Sequence, residues 1–376
     1  MIHGVLAILL AVISVDEIQP RGGGDVIACS VSRVDEDGVR FNRKGERSMT
    51  LSWDRIADVR LADDRIPRLP EYLEVARQLW RARVRLERGE VALAEPIFEL
   101  HFPEMRGRTS ETALVVAEGL LRCRLMRGEI DSALLPALEV ARLRRAGVET
   151  MSYRQLQPPS LGDRSSGLTH LWDEETGLCP YLPPAWIAGP GLASRLVELQ
   201  QWDPGDDERL RTIARLYADS IRQGLGEDVP PVDLETSGFE GNPGARLLGL
   251  MINTLHSDAE VRASARQEIA AGLASVPPWS ECWGRYQLGR SMLMETGLDQ
   301  QRRGLLSLSH VPARWEQSQP YLSGLAMAMM ARHFESMGRD DAAHRMRADL
   351  RQMHPGHPVL RRDVLGQQHT EDKEAP

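Results

Sequence analysis

Residues 320–343 read PYLSGLAMAMMARHFESMGRDDAA, and this stretch decides the fold class. Apolar side chains recur every three or four positions until Gly338, and a second apolar series begins after Asp340. That spacing puts them on one face of a helix. A glycine lets a helix end, and an aspartate is a good cap for the next one. The stretch therefore predicts two helices joined by a tight turn, that is, a helical hairpin.

The same pattern occurs elsewhere in the chain. Residues 279–308 predict one helix that ends at Gly297 and a second that starts at Asp299. Nearer the N-terminus, Leu86-Glu-Arg-Gly-Glu90 is followed by Ala94. The same motif recurs thirty-nine residues later as Leu125-Met-Arg-Gly-Glu129, followed by Ala133. A repeat at this period indicates helical hairpins that stack on their neighbours.

Residues 326–355 resemble a tetratricopeptide (TPR) repeat. The first helix has small residues and Phe334, Gly338 marks the turn, Ala343 lies in the second helix, and Pro355 follows it. Residues 71–147 are similar, although they lack the Trp and Tyr pattern and the terminal proline of the family. The spacing of 39–41 residues here also exceeds the 34 of that family. The resemblance implies an α-solenoid whose concave face binds peptides or other proteins.

A different period governs residues 25–64, which predict a small antiparallel β unit. Apolar and polar residues alternate there, as half-buried strands require, and Asp37-Gly38 is a strong hairpin turn. The order of strands and turns, which ends in Trp53-Asp54-Arg55-Ile56, resembles SH3-like and Sm-like small barrels. The expected fold class is therefore mainly α: a solenoid of TPR-like hairpins preceded by a small antiparallel, barrel-like β unit.

Composition shifts divide the chain into six segments. Glycine and proline mark the joints, and a Pro- and Trp-rich insertion interrupts the helical pattern. Its aromatic residues argue that it is ordered. The predicted segments are a signal peptide or membrane tether at 1–17, the β unit at 25–64, helical hairpins at 70–147, the insertion at 148–191, helical hairpins with a TPR-like end at 192–365, and a disordered tail at 366–376.

The N-terminal segment contains an uninterrupted apolar run from Val5 to Val15. The run is shorter than the ~20 residues that cross a bilayer, and its length suits the apolar core of a signal peptide. No lysine or arginine precedes it, so an uncleaved membrane tether and a buried first strand stay open as alternatives. From this run we expect an exported protein of the periplasm or cell envelope.

Charge and motifs exclude several classes of function. Lys and Arg total 46 against 54 Asp and Glu, which gives a formal net charge of −8 and argues against a nucleic-acid binder. No nucleotide-binding fingerprint, serine-hydrolase motif or zinc motif occurs. His354 and His357 could offer two imidazoles to a metal, but no third ligand lies nearby. We therefore expect neither a metal nor a cofactor.

The expected function is a non-catalytic scaffold that binds a protein or peptide partner. Its contacts are predicted in the insertion, at Trp172, Tyr181 and Trp186. An α/α-type hydrolase that uses Asp173 or Glu174 is the alternative, since carboxylates beside aromatic rings are what glycosidases use. A structural subunit of a cell-envelope assembly is a third reading.

Two further groups of residues have open interpretations. Cys179 and Cys282 both lie in Pro- and Trp-rich segments and form a candidate disulfide, while buried free thiols are the alternative for all four cysteines. Met327, Met329, Met330 and Met337 could form a soft binding surface. At helical spacing, core filling explains them as well.

Overall fold

The computed structural model describes residues 15–63, 65–153 and 171–361. The chain divides into two compact units. The first comprises Met1–Gly119 with Val148–Ser152, and the second comprises Leu120–Gly147 with Tyr153–Pro376. The protein is mainly helical, with a small antiparallel sheet near the N-terminus, as the sequence predicts.

The sheet of the first unit has five strands in the order β4-β3-β2-β1-β5, and every pair is antiparallel. Alternate residues such as Val31, Val39 and Phe41 are buried, which is the period-two pattern of the sequence. The strands are β1 (Asp16–Pro20), β2 (Ile27–Asp35), β3 (Gly38–Asn42), β4 (Met49–Leu51) and β5 (Ile56–Arg60).

The hairpin predicted at Asp37-Gly38 is confirmed, since Asp35 pairs with Gly38 across β2 and β3. Gly38 has a φ of +138°, and a Cβ there would lie 2.2 Å from the Leu51 carbonyl oxygen. A side chain at this position would therefore meet the backbone beside β4.

Strand β1 overlaps the end of the segment predicted as a signal peptide or tether (1–17), so the β unit begins before the predicted residue 25. Asp16 explains the early start. Its buried carboxylate accepts hydrogen bonds from the amides of Val31 (2.8 Å) and Ala62 (2.9 Å) and pairs with Arg65. Burial alone would raise the pKa of Asp16, but these donors outweigh it and lower the pKa. Because the partners are far away in sequence, no local period reveals this strand.

Twelve α-helices follow between Leu69 and Met353, and the described residues 358–361 are also helical. Their bounds agree closely with the apolar periods and glycine stops of the sequence. The helices are α1 (Leu69–Glu87), α2 (Val91–Met105), α3 (Glu111–Met126), α4 (Ile130–Arg145), α5 (Pro190–Gln200), α6 (Glu208–Gly224), α7 (Pro243–Asn253), α8 (Ala259–Gly272), α9 (Pro278–Leu293), α10 (Leu298–Trp315), α11 (Pro320–Ser336) and α12 (Asp340–Met353).

The repeated sequence motif forms the same backbone turn each time. Gly89, Gly128 and Gly338 follow α1, α3 and α11 with φ values of +76°, +71° and +69°. After α3, the amides of Gly128 and Glu129 donate to the carbonyls of Leu125 (3.0 Å) and Arg124 (2.9 Å). The glycine amide after α1 and the one after α11 make the equivalent bond. These paired bonds satisfy the last carbonyls of each helix and let the chain reverse.

In the second unit, each helix from α4 to α12 packs on the next helix along the chain. Helices α9 and α10 approach most closely at two glycines. A Cβ on Gly289 would lie 2.9 Å from the carbonyl oxygen of Gly304, and a Cβ on Gly304 would lie 3.0 Å from that of Gly289. The two glycines therefore let the backbones of this hairpin touch.

Residues 171–189 of the insertion form neither helix nor strand but are largely buried. Its carbonyls accept hydrogen bonds from two helices. Tyr217 of α6 donates to Leu182 (2.8 Å), and Tyr321 of α11 donates to Ala185 (2.7 Å). The insertion is therefore part of the packing of the second unit.

Several sequence predictions concern residues outside the described ranges. They are the apolar run up to Ser14, residues 154–170 of the insertion, and the tail at 366–376. Across the described residues, no α-helix combines the length and the hydrophobicity that crossing a bilayer requires.

Candidate functional site

A groove of about 610 Å³ lies between α10, α11 and α12 in the second unit and is here called the methionine groove. Nine of its twelve lining residues are apolar, and four of those are methionines. The lining residues are Leu305, Leu306, Ser309, Pro312, Ala313, Glu316, Met327, Met330, Phe334, Met346, Asp349 and Met353.

Helical spacing puts these side chains on one surface. On α12, Met346, Asp349 and Met353 are three and four residues apart, so they share a face. The facing wall comes from α10, where Pro312 also removes the amide that would bond the carbonyl of Leu308. Helix α11 lies between the two walls and forms the floor.

The floor and the walls differ in exposure. Met327 and Met330 on α11 are each 3% exposed and belong to the core. Leu306 on α10 is 64% exposed and Met353 on α12 is 39% exposed. Core filling therefore explains these two methionines, although both also line the base of the groove. An exposed apolar surface rimmed by polar groups marks an interaction site.

The charged groups of the groove have one sign. Glu316 and Asp349 line it, and no lysine, arginine or histidine does. Neither carboxylate makes an ion pair with any cation in the described part of the chain. Nearby acids are paired: Glu335 with Arg347, and Glu281 with Arg285 and Arg314. The groove therefore presents apolar surface together with uncompensated negative charge.

The three aromatic residues predicted to contact a partner do not form one surface. Trp186 is buried, donates to the Ser220 hydroxyl (2.9 Å) and packs edge-on against Tyr217. Trp172 packs on Gly177. Tyr181 is also buried and lines a separate pocket near the end of α12. None of the three lines the methionine groove.

The acids beside these aromatics do not build the carboxylate pocket considered from the sequence. Asp173 accepts hydrogen bonds from the amide (2.8 Å) and hydroxyl (2.7 Å) of Thr176, so it stabilises a turn. Glu174 is exposed. The cavity beside Trp172 has a volume of about 10 Å³, and no acid lines it.

The four cysteines are buried in the protein, and none of them is paired. Cys29, Cys123, Cys179 and Cys282 are free and buried, so the Cys179–Cys282 disulfide considered from the sequence is not formed in this structure. Burial raises the pKa of Cys179 to about 12, which keeps that thiol protonated. Among the described residues, no cluster of three or more His, Cys, Asp or Glu side chains is arranged to hold a metal.

No protein family, curated protein or solved structure that we compared with this chain matches it.

The sequence signal for the groove was the apolar stripe of α12. Ala343 and Leu350 of that stripe are buried, whereas Met346 and Met353 remain partly exposed. The apolar stripe of α12 therefore extends beyond the residues that are buried against α11.

Proposed function

We propose that this protein is a non-catalytic binding protein of the cell envelope, built as an array of TPR-like hairpins, and that the methionine groove holds an amphipathic helix of a partner protein. The observation that supports the proposal is the groove itself, an open apolar channel about 610 Å³ in volume with two unpaired carboxylates. Export rests on the apolar run at residues 5–15.

A helix suits this channel because two helices wall it and a third forms its floor. Such grooves bind the apolar face of an amphipathic helix, whose anchor residues recur every three or four positions. Methionine side chains are unbranched and polarisable, so they adapt to anchors of different shape. We therefore expect Leu, Met or Phe anchors in the partner.

The charge of the groove further restricts which partner helices can bind. Glu316, which directly follows α10, and Asp349 of α12 line the groove from opposite walls, and the lining offers them no cation. A partner helix with lysine or arginine beside its apolar face would neutralise both. A helix with acidic flanks would bring like charges together, which costs affinity.

The test uses the full chain and two helical peptides with the same Leu- and Met-rich face. One peptide has Lys and Arg flanks and the other has Glu and Asp flanks. Fluorescence anisotropy should show tighter binding of the basic peptide. Leu306→Glu should weaken that binding about tenfold or more, because it puts a charge into the apolar contact.

Leu298→Glu is the matched control. Leu298 lies on the same helix, is 61% exposed compared with 64% for Leu306, and does not line the groove. The double variant Glu316→Lys/Asp349→Lys should reverse the preference between the two peptides. Equal effects of the two leucine variants, or an unchanged preference in the double variant, would refute the assignment. Light scattering tests a further outcome. If the protein forms a dimer that Leu306→Glu dissociates, the occupant of the groove is a second copy of this chain.

A further inference from the structure

Helix α1 of the first unit carries a row of arginines. Residues 77–88 contain five arginines and one acid, in a chain whose formal net charge is −8. Arg83 pairs with that acid, Glu87 (3.4 Å), and with the buried Asp54 (3.3 Å). The other four recur at intervals of four, four and three residues, so they share one side of the helix over about 16 Å. They are Arg77, Arg81, Arg85 and Arg88, here called the arginine stripe.

Most of the charge of the arginine stripe is not neutralised within the protein. Arg81 and Arg88 are exposed, and neither pairs with an acid in the part of the chain that the structure describes. Arg85 donates to a backbone carbonyl (3.1 Å). Arg77 pairs with Glu74, but both side chains are about half exposed. An exposed ion pair contributes little, so Arg77 can exchange this partner for another anion at small cost.

A further arginine, from the sheet, lies beside the stripe. Arg21, in the turn between β1 and β2, stacks its guanidinium over the Trp80 ring at 4.5 Å, three residues after Arg77 on α1. Its Nε is buried, whereas its two terminal nitrogens are not, and it makes no ion pair among the described residues. Burial, together with the charges of Arg77 and Arg83, lowers the pKa of Arg21. An anion at the terminal nitrogens would relieve this repulsion.

Phosphate groups side by side fit this surface. A guanidinium binds a phosphate through two parallel hydrogen bonds, and a row about 16 Å long offers several such contacts rather than one. Tryptophan, here the partly exposed Trp80, favours the boundary between water and lipid. The chain also brings the surface close to a membrane anchor. Arg21 follows Val15, the end of the apolar run, by six residues, so the two lie within about 20 Å of each other.

We propose that the arginine stripe and Arg21 form a docking surface for the phosphate groups of an anionic lipid bilayer, with α1 facing the headgroups. Each basic side chain held at such a bilayer strengthens binding about fivefold. The attraction is electrostatic and decays within about 10 Å at ordinary salt, so it acts only when α1 lies against the lipid.

The experiment measures how the full chain partitions onto vesicles of phosphatidylcholine alone and of phosphatidylcholine mixed with phosphatidylglycerol. The apolar run at residues 5–15 contributes equally to both, so the ratio of the two partition constants reports on the charged surface. The mixed vesicles should bind at least about twentyfold more tightly at about 0.1 M salt, and this preference should disappear at about 1 M.

Arg81→Gln/Arg88→Gln should reduce the preference about tenfold, because it removes two cations that no acid neutralises. Both side chains are exposed, so the melting temperature should not change. Arg81→Lys/Arg88→Lys keeps the charge and should retain most of the preference. Arg303→Gln/Arg345→Gln is the matched control, since it removes two exposed arginines of α10 and α12 and should leave the preference intact.

Equal partitioning onto the two kinds of vesicle, or an equal effect of the control variant, would overturn the proposal. Poly-glutamate tests an acidic protein as the partner instead. If it binds more tightly than the mixed vesicles do, and Arg81→Gln/Arg88→Gln abolishes that binding, the lipid assignment is wrong. Leu306→Glu should not affect the ratio of partition constants, so failure here is distinguishable from failure of the proposed groove.

Discussion

The methionine groove lies beside a pocket of about 270 Å³ that is lined by Tyr181 and is called the Tyr181 pocket. The two meet at consecutive residues, since Met353 lines the first and His354 lines the second. They are nevertheless built in opposite ways. Hydrogen bonds from Gln319, Tyr321 and His357 hold the pocket walls, whereas the groove walls are exposed apolar side chains with free carboxylates. A fixed wall favours one small ligand, and an adaptable wall favours a broad partner surface. We therefore expect mutations of the hydrogen-bonded groups in the pocket walls to change stability, and mutations in the groove to change binding.

The largest expected effect is a loss of stability at acidic pH that depends on His357. Burial is the main cause that lowers its pKa from 6.5 to about 4. Between these values the unfolded chain takes up a proton and the folded chain does not. The contribution of His357 is therefore complete above pH 6.5 and is lost as the pH falls towards 4, which amounts to about 3 kcal/mol.

Urea unfolding at pH 7 and pH 4.5 measures this loss. Other groups also titrate in this range; burial lowers the pKa of His354 as well. His357→Gln is the control, because a glutamine amide can reach the position from which His357 Nε2 meets the Tyr321 carbonyl, but it does not titrate. The variant should lose much less stability over this interval. An equal loss in both proteins would show that His357 is not buried as a neutral ring.

A second prediction concerns Gly324 of α11, which packs under the His357 ring. A Cβ at this position would lie 2.3 Å from the ring Cδ2, so Gly324→Ala has to displace His357 and the pocket wall. We expect a loss of about 2 kcal/mol in the free energy of unfolding, even though alanine favours a helix. The loss is measured by urea denaturation.

Gly272→Ala provides the comparison for this clash. Gly272 ends α8, and nothing lies within 4 Å of the position that its Cβ would take. That variant should be neutral or slightly stabilised. If the two alanine variants unfold alike, the loop after α12 does not pack on α11 in solution.

The hairpins could be predicted from the sequence because their determinants are local. Gly89, Gly128 and Gly338 have the same positive φ after the same kind of apolar series, so one rule explains three turns. Strand β1 could not be predicted this way. Asp16 has its partners at Val31 and Ala62, and only the folded sheet brings them together.

The candidate sites were accessible to sequence reasoning only in part. Composition drew attention to Tyr181 and to the methionines of α11, but it could not show what surrounds them. Tyr181 shares its pocket with Gly128 and His357, which lie in other parts of the chain. Composition also favoured Trp186, which packs against α6. Aromatic residues in a proline-rich segment indicate order, and they do not distinguish a binding surface from a core.

A third prediction compares two tyrosines that line the same pocket. Tyr321 donates its hydroxyl to the Ala185 carbonyl, so Tyr321→Phe should cost about 1 kcal/mol. The Tyr181 hydroxyl is buried without a partner among the described residues, so Tyr181→Phe should be neutral or stabilise by up to about 1 kcal/mol. Thermal unfolding of both variants measures whether each substitution lowers or raises the stability. A loss in Tyr181→Phe as large as that in Tyr321→Phe would mean that the protein itself satisfies the Tyr181 hydroxyl.

The smallest effect is expected in the groove. Leu306→Gln should change the free energy of unfolding by less than about 0.5 kcal/mol, because the side chain is 64% exposed and has little packing to lose. Urea denaturation at neutral pH measures it, and Leu298→Gln on the same helix should behave alike. A loss above about 1 kcal/mol in Leu306→Gln alone would show that the isolated protein already covers this leucine. The groove would then be part of a folded interface, and its contrast with the pocket would disappear, because both would contribute to stability.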